Sequence, residues 1–139
     1  MRQSSQPLPH PALKQLATFV GTWHVSGPAI TGEVIFKWLE GGFFLVQHVD
    51  LAYEGRAIKG VEYIGYDEAS SVCTSHFFDN TGHIFTYVWE VEDDEITIWF
   101  GAKDSNNRFK GRFSDDGDAY SGAWAWPGGG YSTTLTRVR

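Results

Sequence analysis

Beyond Val20 the chain alternates apolar and polar residues with a period of two, and short runs of Asp, Asn and Gly interrupt the alternation every few residues. A period of two places successive side chains on opposite faces of a pleated strand. Breaks this short leave no room for crossover helices, so neighbouring strands must pair antiparallel in sequence order. The pattern predicts about ten strands, over approximately 20–27, 30–38, 43–53, 57–66, 72–79, 83–91, 95–101, 107–114, 119–126 and 131–138. The breaks between them carry turn chemistry: Glu40-Gly41-Gly42, Glu54-Gly55, Asp79-Asn80-Thr81-Gly82, Asp93-Asp94, Asp115-Asp116-Gly117-Asp118 and Pro127-Gly128-Gly129-Gly130. Asp, Asn and Gly tolerate the positive φ of tight hairpins.

Parity along the strands assigns an inner face. Val34, Phe36 and Trp38 oppose Glu33 and Lys37, and Phe85, Tyr87, Trp89 and Val91 oppose Thr86, Val88 and Glu90. Ile96, Ile98 and Phe100 oppose Glu95 and Thr97, while Phe109 and Phe113 alternate with Arg108, Lys110 and Arg112. Strands 57–66 and 72–79 carry polar and apolar groups on both parities, so their inward face is undetermined. A meander of ten strands has two raw edges unless it closes on itself. The expected fold is therefore all-β: an antiparallel up-and-down β-barrel of about ten strands, with a two-sheet sandwich as the alternative. Ahead of it, Leu13, Leu16, Ala17 and Val20 follow helical spacing behind Pro11, which predicts a short capping helix over 11–19. Residues 1–11 are expected to form a flexible segment and 12–139 a single domain.

Composition narrows the function classes. Of 139 residues, six are Trp, six Tyr and ten Phe, accompanied by sixteen Gly. Large rings pack on pleated faces and glycines permit bends, which suits a curved sheet around a ring-lined interior. The net charge of −6 argues against nucleic acid as a partner. No apolar run follows Met1 and no stretch has the length of a membrane helix, so neither a signal peptide nor a membrane span is expected. One cysteine, Cys73, suits a reducing, cytoplasmic setting.

The five histidines have no zinc spacing, so no metal site is expected, and no cofactor is expected either. His10 lies in the N-terminal segment and has no assigned role, while His24, His48 and His83 are expected to face solvent. Cys73 and His76 fall on opposite faces, which disfavours a thiol–imidazole pair. The acidic clusters at 93–95 and 115–118 do not match a calcium loop and read as solvated turns, and no catalytic constellation stands out. Trp23, Phe36, Trp38, Tyr87, Trp89 and Trp124 have inward parity and together exceed what a slim core needs. They are the candidate walls of a cavity, with Gln47, Tyr63, His76 and Tyr87 as the polar groups that would orient a ligand.

Val20-Gly21-Thr22-Trp23 resembles the opening of the calycin superfamily, which includes the lipocalins and fatty-acid-binding proteins. The resemblance implies a barrel in which a last-strand Arg, here Arg137, packs across that Trp. The ordered set Phe19-x-Gly21-Thr22-Trp23, Trp38-Leu39-Glu40-Gly41-Gly42-Phe43-Phe44-Leu45, Gly65-Tyr66-Asp67 and Phe78-Asp79-Asn80-Thr81-Gly82 is similar to an uncharacterised bacterial calycin-like family. Gly21-Thr22-Trp23-His24-Val25-Ser26-Gly27 also resembles nitrobindin-like haem barrels. Val25 replaces a glycine of that pattern, and no histidine follows His83 where theirs ligates haem. The expected function is binding of a small hydrophobic or amphipathic molecule inside the barrel. Three alternatives stand beside it: an isomerase, cyclase or hydrolase working in the same cavity, a haem module, and a structural domain with a filled interior. A homodimer is an open expectation.

Overall fold

A computed structural model describes residues 7–139, which form one short helix and ten strands. The strands are β1 (Gly21–Ser26), β2 (Ile30–Trp38), β3 (Phe44–Tyr53), β4 (Arg56–Asp67), β5 (Val72–Asp79), β6 (Ile84–Glu92), β7 (Glu95–Phe100), β8 (Arg108–Phe113), β9 (Ala119–Trp126) and β10 (Gly129–Arg137). Each pairs antiparallel with its neighbour in sequence, and β1 also pairs with β10. The sheet closes, so the sandwich alternative is set aside. The last hairpin turn is shorter than the glycine run suggests: only Pro127 and Gly128 turn, and Gly129 and Gly130 already belong to β10. No helix of the described residues is long and apolar enough to cross a membrane.

The helix over Pro11–Phe19 is a 3-10 helix. Its buried residues are Leu13, Leu16 and Phe19, an exact spacing of three that matches the three-residue turn of this helix type. Phe19 is thereby driven into the barrel, where its ring meets Phe36 at 5.2 Å, Phe113 at 5.0 Å, Tyr120 at 5.3 Å and Trp89 at 5.4 Å. His10 is no bystander: its Nδ1 accepts the Ala12 N–H at 3.0 Å, and its ring stacks on Tyr66 at 3.6 Å. The expected flexible segment is therefore structured at its inner end, and its residues 1–6 lie outside the described residues.

The helix and Arg137 together shut one end of the barrel. The Arg137 guanidinium lies 4.2 Å from the centre of the Trp23 ring, as the calycin resemblance implies. It donates to the carbonyls of Val20 (2.6 Å), Thr18 (2.9 Å) and Gly117 (3.0 Å) and pairs with Asp118 (3.1 Å). Gly21, at φ +135°, gives this guanidinium its room, since a Cβ there would stand 2.6 Å from Nη1.

Next to β10 in the barrel wall, Gly111 of β8 pairs with Gly122 of β9. A Cβ on Gly122 would stand 2.1 Å from the Lys110 carbonyl oxygen and 2.5 Å from the Gly111 Cα, both backbone atoms that cannot swing away. Gly122→Ala is therefore expected to cost about 2 kcal/mol, within the range for overpacked interiors, read as a lower urea midpoint. An unchanged midpoint would mean that the two strands separate freely here.

Candidate functional site

β4 enters at the open end of the barrel with Arg56 and reaches the helix-closed end at Asp67. Between them Ile58, Gly60, Glu62 and Ile64 share one parity. Ile64 and Glu62 are buried, so this parity faces inward. A carboxyl group therefore projects into the barrel, with the residue only 5% exposed. The register places Gln47 of β3 and Phe77 of β5 on either side of it.

Glu62 is the centre of a polar cluster in an aromatic wall. Its Oε1 accepts from Gln47 Nε2 at 2.6 Å, and its Oε2 accepts from the Ser75 hydroxyl at 2.6 Å. The Ser75 oxygen in turn accepts the Trp89 indole N–H at 2.9 Å. The chain of donors runs from indole through hydroxyl to carboxylate, which orients each group. Among the described residues, no buried side-chain polar atom lacks a hydrogen-bond partner. Burial pushes the Glu62 carboxyl up to about 7, against the opposing pull of its hydrogen bonds. Tyr87 and Tyr120 are pushed above the usual phenol range, first by burial and then by the Glu62 charge.

Above this cluster lies a cavity of about 990 Å³. Glu62, Gln47, Phe36 and Trp89 belong to its lining, with Phe77, Tyr87, Phe109 and Trp124 around them. Its mouth is at the end away from the helix, where the turns between strands contribute Asn80, Thr81, Asn106 and Pro127, and where Arg56 and His83 stand. His83 is held by the turn before it, through Thr81 Oγ1 at 2.8 Å and Asp79 at 3.6 Å.

A family model described as a protein of unknown function (DUF1579) matches residues 9–115. The chain belongs to the DUF1579 family. The matched span covers the helix and β1 to β8, and with them Gln47, Glu62, Ser75 and Trp89. A search of curated proteins gives no match. Family membership therefore brings no activity with it, and any function must be argued from the DUF1579 barrel itself.

The structure divides the nine residues singled out from the sequence. Phe36, Gln47, Tyr87, Trp89 and Trp124 line the cavity. Trp23 is inside but in the closed-end core, donating its indole N–H to the Phe19 carbonyl at 2.8 Å. Trp38 packs half-buried against that core and is not in the lining. Tyr63 and His76 are corrections: they pair across β4 and β5 on the outer face, where both are exposed and lie beside Phe78. Their strands carry apolar residues outside as well as inside, and the inward positions belong to Glu62 and Ser75 instead. Glu62 was not foreseen; its shared parity with Ile58 and Ile64 was the available signal.

Proposed function

We propose that this barrel binds a small hydrophobic or amphipathic molecule in its interior. The carrying observation is the cavity of about 990 Å³, walled by aromatic rings and furnished with one polar cluster near its floor. Ligand pockets are typically about 300–1,000 Å³, mostly apolar, with a few convergent polar groups. Desolvation of the walls supplies affinity at roughly 25 cal/mol per Å² before binding costs, and the polar cluster supplies orientation. The open mouth gives a path of entry. A calycin kinship supports the same reading through the Gly21-Thr22-Trp23 opening and the Arg137 contact on Trp23.

Val49 lines the cavity midway along β3. Val49→Trp points an indole into that space and narrows it, so it is expected to weaken binding several-fold while the protein stays folded. Native mass spectrometry of protein purified from its own host, or calorimetric titration with an added alkanol, reads the result. No bound molecule in the parent, or equal binding by the parent and the narrowed variant, would remove the carrier reading.

An enzyme in the same cavity has one observation in its favour: a carboxyl group pushed up to about 7 can give or take a proton near neutral pH. The histidines offer it no partner inside, since His76 and His48 are exposed on the outer face. They offer little to the haem reading as well, because His83 is the only histidine in the lining and it sits at the mouth, engaged by Asp79.

A further inference from the structure

We propose that the cavity selects an organic cation, an amphipathic amine whose protonated nitrogen docks against Glu62 while its apolar remainder fills the aromatic barrel. This deepens the carrier reading and rests on it. Glu62 lacks a counter-charge. Every group that touches the Glu62 carboxyl is neutral: the Gln47 amide and the Ser75 hydroxyl, the latter backed by the Trp89 indole. A buried carboxyl in a protein ordinarily finds an Arg, a Lys or a metal, because an unpaired charge in an apolar interior is costly.

The titratable groups around it cannot serve. From β6 and β9 come Tyr87 and Tyr120, whose phenols would add negative charge, not positive. Arg56 lies on the same strand but six residues toward the mouth, about 20 Å away at ~3.3 Å per residue. Arg137 is below the floor, spent on Asp118 and the Trp23 ring. His83 is at the mouth. Among the described residues that line the cavity, Glu62 is thus the one charged group at depth, and no protein cation reaches it.

What the protein leaves out, a ligand can bring. A primary ammonium has three N–H donors and fits an acceptor-only carboxylate, whose two oxygens have more lone pairs than the two bonds from Gln47 and Ser75 fill. The rings beside it add to this. Trp89, Tyr87, Phe36 and Phe77 all face the cavity, and aromatic faces attract an ammonium in a desolvated site. A carboxylate ligand would meet Glu62 with like charge, and an alcohol would leave the charge uncompensated. The raised affinity of Glu62 for its proton is the same deficit seen from the other side. An entering ammonium takes the place of that proton.

The test uses three probes of one chain length, octylamine, 1-octanol and octanoate, titrated against the full chain by tryptophan fluorescence and calorimetry. Octylamine is expected to bind at least tenfold more tightly than octanol at pH 8, and octanoate more weakly than both. Octylamine affinity should fall about tenfold from pH 8 to pH 6, as the ionised fraction of Glu62 falls. Octanol affinity should not fall. Glu62→Gln should erase the preference for the amine and keep octanol binding, which also reports that the variant is folded. If octanol binds and octylamine is no tighter, or if Glu62→Gln keeps the preference, the cation assignment is wrong and the carrier reading stands. If none of the three binds, both are wrong.

Discussion

Trp23→Ala is expected to lower the folding stability by about 5 kcal/mol, enough to leave much of the chain unfolded at 37 °C. Trp23 is fully buried, and removing a buried Trp or Phe side chain costs roughly 3–5 kcal/mol in transfer and cavity terms alone. Three specific losses add to that. The Phe19 carbonyl loses its indole donor at 2.8 Å. Tyr120 loses an edge contact at 4.9 Å, and Arg137 loses the ring it covers at 4.2 Å. An orphaned carbonyl by itself costs about 1–3 kcal/mol. Because Phe19 and Arg137 both hold the helix against the barrel, the damage falls on the closure of the floor. Urea unfolding by circular dichroism measures the loss. Trp23→Phe, which keeps much of the packing, should cost less than half as much. A loss under about 1 kcal/mol for Trp23→Ala would show that the closed end is not held by this residue.

The walls were largely legible in the sequence because they rest on short-range rules, whereas the floor contact of Arg137 on Trp23 joins distant residues and is implied only by the calycin resemblance. Period two fixed where the ten strands run, and turn residues fixed where they stop, to within about two residues. Closure followed from the meander order and the need to hide two edges. The helix type was less accessible. Leu13 and Leu16 fit either period, and it takes Phe19 at the next step of three to distinguish a 3-10 turn, a choice made by the barrel that receives the ring.

The site was harder for a physical reason. On β4 the outer face next to Glu62 is itself apolar, with Val61 beside Phe78 and Tyr63 packed edge-on to the same ring at 6.3 Å. Alternation therefore carries no contrast there, and a Glu between Val61 and Tyr63 reads as solvent-facing by composition. Only the pairing partners decide otherwise. Gln47 and Ser75 are brought beside Glu62 by register across three strands, which no local pattern encodes. With the parity of 57–66 and 72–79 undetermined, Tyr63 and His76 are as eligible as their neighbours, and parity sends them outward once Glu62 and Ser75 are inside.

Glu62→Gln is expected to change how stability depends on pH, and by an amount second only to the Trp23 loss. In the folded chain the carboxyl holds its proton up to about pH 7, whereas a free Glu gives it up near 4.5. Below pH 4.5 both states are protonated and the group contributes no difference. Between 4.5 and 7 the unfolded chain gives up its proton while the folded chain keeps it, so stability falls as pH rises, by at most roughly 1.4 kcal/mol per unit. Above pH 7 both states are ionised and the penalty levels off at about 3 kcal/mol. A glutamine cannot ionise, and its amide can be satisfied in place: Ser75 donates to its oxygen, and Gln47, turned over, accepts from its nitrogen. The stability of the variant relative to the parent should therefore rise by about 3 kcal/mol between pH 4.5 and pH 8, following a curve centred between the two titrations. Taking the difference between the proteins cancels Asp79, Asp116 and Asp118, whose carboxyls are held below the usual range by turn and arginine contacts in both. Urea midpoints for the pair at four pH values suffice. A difference that stays flat across this range would place the Glu62 carboxylate in water or beside a cation, and the cavity floor would then need a different description.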